Sequence, residues 1–339
     1  MIQIAIIGTG MMGRVHAACF KSVRKCKVLA CCDIDLKKSR EFAREFDIPN
    51  YYGAVEDLLE REELDAVSIV TPNDTHHELA MKCLEKGIPV FCEKPLAEDH
   101  EKATELADFA KKVKVLNMVN LIHRGSPELQ KASELVKEGA VGRVLHVEAS
   151  YLQSWMTSDY WGDWKKTDSF LWRLSPRHAG KGVISDFGPS VIDLVSYVAG
   201  EIKTLRTNVR SFNKGVKGNK LQGYELDSAD SAVISADFEN GAMGAIHMTR
   251  WATGEVNSLR LRVYGDEGGL TLDIEESGSS LQICSGEDRH KAKWRKVKID
   301  KVPSLWQTFV DALLEGKKDV QPTFKHAADL QNLLETSLQ

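Results

Sequence analysis

Three glycines near the start of the chain have the spacing of a phosphate-binding turn. They are Gly8, Gly10 and Gly13 in GTGMMG, which follows the apolar run IQIAII and opens a helical segment with Met11 and Met12. In this pattern the first glycine makes a tight turn, the second lets backbone approach a pyrophosphate, and the third lets helix and strand pack closely. The start of the helix adds unpaired N–H groups and a positive dipole end. We therefore predict a dinucleotide site here.

An acidic residue stands where the ribose of such a cofactor would lie. The second apolar run, KVLACCD, ends at Asp33, 20 residues after Gly13. A carboxylate at this position accepts hydrogen bonds from both ribose hydroxyls and repels a 2'-phosphate, so the sequence favours NAD over NADP. Three basic residues between positions 37 and 40 weaken that preference.

Two clusters of polar residues follow the later apolar runs DAVSIV and PVFC. They comprise Thr71, Pro72, Asn73 and His76 after the first run, and Glu93 and Lys94 after the second. Ligands of open parallel sheets bind beyond the carboxyl ends of the strands, so we predict that both clusters contact the cofactor. A lysine that is desolvated near a positive charge can transfer protons near neutral pH. The alternative is an exposed Glu93–Lys94 pair of negligible energetic value.

The alternation of strands and helices continues to about residue 121 and then changes. Strands alternating with helices predict an α/β domain with a doubly wound parallel sheet, the Rossmann architecture. Beyond it, short segments of alternating polarity joined by Gly, Asn and Asp turns predict an α+β domain with a large, mostly antiparallel open sheet. ENGA at residues 239–242 has the Asn-Gly signature of a hairpin. The predicted domains are residues 1–121 and 122–302, with closing helices at 303–339.

The stretch GKGVISDFGPSVID, residues 180–193, contains acids spaced for a second site. Pro189 suits the first turn of a helix, which predicts a helix over 189–199 with Ser190 and Asp193 on one face. Asp186 would reach the same region from the preceding turn. The alternative is that Asp186 stabilises the helix start and that Asp193 only supports neighbouring residues.

A loop rich in tryptophan precedes that stretch. Trp155, Trp161, Trp164 and Trp172 lie within 18 residues, and the chain has seven tryptophans in all. Aromatic faces stack on the C–H side of sugar rings, so Trp161 and Trp172, with Arg173, are predicted substrate contacts. The alternative is a loop that is held together by tryptophan packing or that makes a subunit contact.

These motifs resemble those of the Gfo/Idh/MocA oxidoreductases. The resemblance covers GTGMMG with Asp33, TPNDTHHELA, FCEKPLA, residues 121–144 with Arg124, and the stretch at 180–193. It implies NAD(P)-dependent oxidation or reduction of sugars, cyclitols and related polyols. It also implies that Lys94 contacts substrate and transfers a proton, that Glu93 lies by the nicotinamide ribose, and that the free face of the antiparallel sheet forms a homodimer or homotetramer.

Two positions depart from the pattern of that family. Ser190 stands where a histidine is common, and Lys181 replaces the middle glycine of a Gly-Gly-Gly run. A serine hydroxyl can relay a proton or bind substrate, but it is not a base near neutral pH. Lys181 either adds a positive charge at the rim of the substrate pocket or points into solvent.

The leading hypothesis is an NAD-dependent dehydrogenase or reductase of a secondary hydroxyl on a sugar, sugar derivative or cyclitol. In it Lys94 withdraws the hydroxyl proton, Asp186 orients the lysine or substrate, and Asp193, Ser190, Arg124 and Lys181 contact substrate. Two alternatives stay open. One is a glycosidase that uses NAD transiently, and the other is a non-catalytic nucleotide- or sugar-binding protein, suggested by the missing histidine.

Composition sets the remaining expectations. The net charge of −4 without long runs of one sign indicates neither nucleic acid nor an anionic membrane as partner. The apolar run at the start is too short for a signal peptide, so we expect a cytosolic protein. Seven cysteines without paired spacing, and scattered histidines, predict free thiols and no metal site.

Overall fold

The computed structural model describes residues 1–338, with only the backbone described at positions 168, 169 and 179. The chain divides into two compact units. The first contains residues 1–121 and 303–332, and the second contains residues 122–302 and those from 333 onward. Residues 303–332 therefore join the first unit although the second sheet intervenes in sequence.

The first unit is built on a six-stranded sheet in the order β3-β2-β1-β4-β5-β6, and every neighbouring pair is parallel. The strands are β1 (Ile2–Ile7), β2 (Cys26–Cys32), β3 (Asn50–Tyr52), β4 (Ala66–Ile69), β5 (Val90–Cys92) and β6 (Asn117–Val119). The helices between them are α1 (Met11–Ser22), α2 (Leu36–Glu45), α3 (Val55–Arg61), α4 (Asn73–Glu85) and α5 (His100–Val113). The predicted doubly wound parallel sheet is confirmed, and the strand order reverses at β1, which is followed by the glycine turn.

The core of the first unit explains why its strands read as continuous apolar runs. Ile4, Ile6 and Phe91 are fully buried, as expected for parallel strands covered on both faces. Helix α11 (Leu305–Glu315) closes this core, because its Phe309 ring lies 5.2 Å from that of Phe91.

The second unit contains an eight-stranded sheet in the order β16-β15-β14-β13-β7-β12-β11-β8. The pair β7–β12 is parallel and all other neighbours are antiparallel, which confirms the predicted mostly antiparallel sheet. Its strands are β7 (Val144–Leu152), β8 (Ile202–Arg210), β11 (Ser231–Phe238), β12 (Met243–Thr249), β13 (Ser258–Gly265), β14 (Gly268–Glu275), β15 (Gly278–Ser285) and β16 (Arg295–Lys296). A separate hairpin pairs β9 (Lys220–Leu221) with β10 (Tyr224–Glu225). Alternate residues of β11 are buried, so one face of this sheet is covered and the other is free.

The helices of the second unit are α6 (Pro127–Lys137), α7 (Asp168–Leu171), α8 (Pro176–Ala179), α9 (Val183–Asp186) and α10 (Gly188–Ala199). Helix α12 (Phe324–Thr336) begins in the first unit and ends in the second. Helix α10 packs against β7 and α6 and is buried along most of its length.

One helix and one turn were predicted with explicit residue bounds. The helix predicted over 189–199 is Gly188–Ala199, with the proline in its first turn, and the ENGA turn connects β11 with β12 as predicted. The preceding turn was predicted wrongly, since Asp186 ends the short helix α9 instead. Two consecutive apolar residues, Val183 and Ile184, are buried and hold that single helical turn in place.

Candidate active site

The glycine turn after β1 has the geometry that dinucleotide binding requires. Gly8 has a φ of +104°, and a Cβ at this position would lie 2.6 Å from the Val70 carbonyl oxygen. A Cβ on Gly13 would lie 2.4 Å from the Gly8 carbonyl oxygen, whereas one on Gly10 would meet nothing within 4 Å. Close packing thus requires Gly8 and Gly13, and Gly10 borders the open space that a pyrophosphate needs.

Helix α1 begins directly after this turn. Gly10 is its N-cap, and no described side chain forms a capping hydrogen bond there. The first N–H groups of the helix can therefore bind phosphate oxygens. Met11 is exposed beside the turn, whereas Met12 packs against the apolar core of the first unit. Of the two predicted methionine contacts, Met11 is the more exposed and Met12 is partly buried.

Asp33 lies beside the glycine turn and is held there by it. Its Oδ2 accepts hydrogen bonds from the Thr9 backbone N–H at 3.0 Å and the Thr9 hydroxyl at 2.7 Å. Its Oδ1 accepts one from the Asp35 N–H at 3.1 Å. A carboxylate oxygen has two acceptor sites, so Thr9 fills those of Oδ2, and Oδ1 keeps one site for a ribose hydroxyl while the side chain stays oriented. The residues of the first unit thus fit NAD.

The loop after β4 is tied to the loop after β5 through His76. One ring nitrogen, Nδ1, lies 2.8 Å from the Pro95 carbonyl oxygen, and Nε2 lies 2.9 Å from the Thr71 carbonyl oxygen. Burial lowers the pKa of His76, although the hydrogen bonds to both carbonyls favour its protonated form. Because the ring is buried and both nitrogens face backbone carbonyl oxygens, His76 joins the two loops. Two further predicted contacts stand at the start of α4, next to this loop. Pro72 is the N-cap of the helix and Asn73 is its first residue.

Glu93 and Lys94 follow β5 at the carboxyl end of the sheet. The Glu93 side chain is buried, and its Oε1 accepts hydrogen bonds from His16 Nε2 at 3.0 Å and Asn120 Nδ2 at 2.6 Å. Its Oε2 accepts one from the Lys94 backbone N–H at 3.1 Å. Burial raises the pKa of Glu93, but hydrogen bonding and charge from His16 and the charge of Lys94 outweigh it, so the pKa is lowered. The alternative of an exposed Glu93–Lys94 surface pair therefore does not apply.

In the second unit Arg124 and Asp193 form a bidentate ion pair. Arg124 Nε donates to Oδ2 at 2.8 Å and its Nη2 donates to Oδ1 at 2.6 Å. Their side chains are 12% and 2% exposed, and the guanidinium also lies 4.0 Å from the centre of the Tyr197 ring. Both carboxylate oxygens thus face Arg124, so Asp193 is placed to support that arginine. Ser190, one turn earlier on α10, is also buried.

Asp186 lies next to two arginines. Arg250 Nη2 is 3.4 Å from its Oδ2, and Arg173 Nε is 3.9 Å from the same oxygen. Arg250 is fully buried, and its Nη1 donates to the Arg173 carbonyl oxygen at 3.0 Å. A carboxylate bordered by two guanidinium groups is a fixed hydrogen-bond acceptor, which suits orientation of a bound group better than proton transfer.

The four tryptophans of the loop have different environments. Trp155 and Trp164 are buried in an apolar cluster with Leu171, and Trp161 packs against its edge. Self-packing of the loop therefore accounts for these three. Trp172 lies outside the described cluster, with the Arg173 guanidinium 4.5 Å from the centre of its ring. Among the tryptophans, Trp172 is the stronger candidate for a ligand contact.

Lys181 lies near an acidic residue of the last helix. Its Nζ lies 3.8 Å from Glu335 Oε2 on α12, while about half of the side chain stays exposed. Within the described residues we find no group of three or more side chains suited to hold a metal ion. The described helices include none with the length and apolarity needed to cross a membrane.

Sequence reasoning missed His16, Asn120 and Arg250. His16 lies three residues after Gly13 on α1, and that fixed offset from the glycine motif is the signal that could have drawn attention to it. Asn120 directly follows β6, so the strand-end argument applied to Thr71 and Glu93 could also have found it. Nothing in the local sequence distinguishes Arg250 from other charged residues that follow strands.

Comparison with known proteins adds to this geometry. Residues 2–121 match the model of the GFO_IDH_MocA oxidoreductase family, NAD-binding Rossmann fold, and residues 129–271 match the GFO/IDH/MocA C-terminal domain. Levoglucosan dehydrogenase of Pseudarthrobacter phenanthrenivorans is 27% identical over 85% of this chain and 77% of its own length. D-glucoside 3-dehydrogenase of Escherichia coli is 28% identical over 80% of this chain and 77% of its own. The crystal structure of an oxidoreductase domain protein from Kribbella flavida superposes with a TM-score of 0.86 at 28% identity, over 99% of this chain and 96% of that one.

Proposed function

Because the chain belongs to the GFO/IDH/MocA family of NAD-binding oxidoreductases, we propose that it is a dehydrogenase or reductase of a carbohydrate. The reacting group is a secondary hydroxyl, or the matching ketone, of a sugar, sugar derivative or cyclitol. The observation that carries this proposal is Lys94, which follows β5 in the NAD-binding unit with its backbone N–H bound to buried Glu93. The names of two relatives, both dehydrogenases of glucose-type sugars, support the choice of substrate class.

The first unit supplies the cofactor contacts and the proton-transfer group. Asp33 accepts a hydrogen bond from a ribose hydroxyl, and the N–H groups at the start of α1 bind the pyrophosphate. NAD, when bound, supplies the hydride acceptor of the oxidation. Lys94 takes the proton of the substrate hydroxyl, directly or through a water, and returns it in the reverse direction.

The second unit supplies substrate contacts. Asp186, with Arg173 and Arg250 beside it, accepts a hydrogen bond from a substrate hydroxyl and orients it. Arg124 donates to a neighbouring substrate oxygen, while Asp193 holds its guanidinium in place. Trp172 offers an aromatic face to the C–H side of the ring. Ser190 contributes at most a hydroxyl contact, so the proton-transfer role stays with Lys94.

A substrate screen tests this function. Levoglucosan, methyl glucosides and inositols are each offered with NAD and with NADP, and both nicotinamide absorbance and products are followed. Net NADH formation with an oxidised sugar supports the proposal, and NAD is expected to be the better cofactor. Release of an aglycone without net NADH would point to a glycosidase, and tight NAD binding without any reaction would point to a binding protein.

Replacing the proposed base tests its role. Lys94→Ala should lower turnover about 100- to 10,000-fold, the contribution expected of a general acid/base. NADH affinity, measured by fluorescence titration, should stay within a few-fold. Lys112→Ala, which removes an exposed lysine from the last turn of α5, is the matched control and should leave turnover unchanged. Turnover that survives Lys94→Ala would remove the assigned base.

The free face of the second sheet supports an assembly proposal. Val233 and Met243 are 63% and 58% exposed on β11 and β12, unusually high for apolar side chains in the middle of a sheet. We propose that a second copy of the chain covers this face in a homodimer or homotetramer. Light scattering coupled to size exclusion should give a multiple of the 37.8 kDa chain mass, which Val233→Lys with Met243→Lys should reduce.

A cytosolic location is part of the proposal. All seven cysteines are free thiols, the state expected in a reducing compartment. Burial raises the pKa of Cys31 to about 11, which keeps that thiol unreactive.

A further inference from the structure

His16 connects the glycine-turn helix to one residue within β4 and to the residues that directly follow β5 and β6. It lies on α1, is fully buried, and has its Nδ1 2.8 Å from the Ser68 hydroxyl on β4. Its Nε2 lies 3.0 Å from Glu93 Oε1 and 3.1 Å from Asn120 Nδ2. None of the residues predicted to bind the cofactor, bind its ribose or transfer a proton is His16.

The hydrogen bonds determine which nitrogen carries the proton. Glu93 Oε1 is an acceptor, so His16 Nε2 donates to it, and Asn120 Nδ2 donates its own hydrogen to the same oxygen. His16 Nδ1 lies within hydrogen-bond distance of the Ser68 hydroxyl, so both ring nitrogens have a partner. The ring also packs edge-on against Trp306 at 5.4 Å and lies 5.5 Å from Phe91, which prevents rotation out of this arrangement.

We propose that His16 is a positioning residue for Lys94, acting through Glu93. Its hydrogen bond keeps the Glu93 carboxylate ionised and in one orientation. In that orientation Glu93 Oε2 accepts a hydrogen bond from the Lys94 backbone N–H, and its negative charge stays next to Lys94. This inference rests on the proposed acid/base role of Lys94. His16 itself is not expected to touch substrate or cofactor.

The charge argument follows from the groups around Glu93. His16 approaches it from α1, Lys94 adjoins it along the chain, and His76 and Cys92 interact with it electrostatically from α4 and β5. Ser68 and Asn120 are neutral. Removing the His16 donor leaves a buried carboxyl with less stabilisation of its charge, and burial then favours the protonated acid. Lys94 would then adjoin a neutral acid instead of a carboxylate.

Two substitutions of His16 distinguish its hydrogen bond to Glu93 from its hydrogen bond to Ser68. Glutamine places its amide nitrogen near the position of Nε2 and so keeps the donor to Glu93, whereas asparagine places its amide near Nδ1 and keeps only the Ser68 contact. Glutamine and asparagine are both polar and no larger than histidine, so the two variants differ mainly in the hydrogen bond to Glu93. Phe20→Leu is the control for stability, because Phe20 is fully buried on the same helix with its ring 6.3 Å from His16.

The primary measurement needs no turnover. Apo protein is briefly treated with acetic anhydride near neutral pH, and peptide mass spectrometry compares acetylation of Lys94 with that of exposed Lys112. His16→Asn should raise the relative rate at Lys94 about tenfold, the effect of losing one close opposite charge. His16→Gln and Phe20→Leu should stay within about twofold of the parent protein.

Kinetics on any substrate found in the screen provide the second measurement. His16→Asn should lower kcat about 10- to 100-fold with KM for NAD within a few-fold, and His16→Gln should restore most of kcat. Equal Lys94 labelling in both His16 variants would overturn the inference, as would a Phe20→Leu effect as large as that of His16→Asn. If labelling behaves as expected but Lys94→Ala keeps turnover, the network stands and the assigned base is wrong.

Discussion

Asp193 on α10 is joined to Arg124 by two parallel hydrogen bonds of 2.8 and 2.6 Å, and both side chains are largely buried. Removing one partner of such a pair is strongly destabilising, because the charge of the other partner stays buried without compensation. Arg124→Met should therefore lower the free energy of unfolding by about 3–5 kcal/mol. Urea unfolding followed by circular dichroism measures it.

The matched comparisons for this prediction lie in the same unit. Adding Asp193→Leu to Arg124→Met should recover part of the loss, since it removes the uncompensated carboxylate. Lys166→Met breaks an exposed ion pair with Asp163 and should have little effect on the urea concentration at the midpoint of unfolding. Equal losses in the single and double variants would contradict the assignment of a buried charge pair.

Asp33 should control cofactor choice. Asp33→Ser removes the charged acceptor for the ribose hydroxyls, so NADH should bind about 10- to 100-fold more weakly, equivalent to the 1.5–3 kcal/mol expected of a charge-assisted hydrogen bond. NADPH binding should improve, because the repulsion of its 2'-phosphate disappears. Fluorescence titration with both cofactors measures this, and Asp47→Ser, an exposed acid of the same unit, is the control. An unchanged NADH/NADPH ratio would exclude Asp33 as the ribose ligand.

Glu93 should contribute a stabilisation that depends on pH. Its pKa in the folded protein lies below the ordinary value of 4.5, so the unfolded chain binds the proton more readily. The contribution is therefore fully present above pH 4.5, and it is lost as the pH falls through the folded-state pKa. The difference in unfolding free energy between the parent protein and Glu93→Gln should narrow as the pH falls from 4.5 through the folded-state pKa of Glu93. A difference that stays constant over this range would mean that Glu93 is not held as an anion.

Ser190→His should not create a second base. The site is buried in the first turn of α10, so the larger ring should cost about 1–3 kcal/mol through overpacking. The pH dependence of kcat/KM should keep its shape, because Lys94 already provides the proton transfer. A new ionisation near neutral pH, with increased turnover, would show that an imidazole can enter the reaction at this position.

Local patterns in the sequence predicted much of the fold. The glycine spacing, the apolar runs and the Asn-Gly turn each depend on neighbouring residues, and the structure has the predicted parallel sheet, antiparallel sheet and hairpin. Side-chain environments do not follow from such local patterns. Trp164 belongs to an apolar cluster and His76 to a loop junction, because exposure depends on what the rest of the chain packs against each residue.

By itself the sequence determined the NAD-binding character of the first unit, since the turn, the helix start and Asp33 lie within one short stretch of chain. The tertiary structure alone decided the partners of the charged residues. Glu93 lies 77 residues from His16, Asp193 lies 69 from Arg124, and Arg250 lies 64 from Asp186. Each pair joins different elements, and only the packing of those elements brings a buried charge to the group that compensates it.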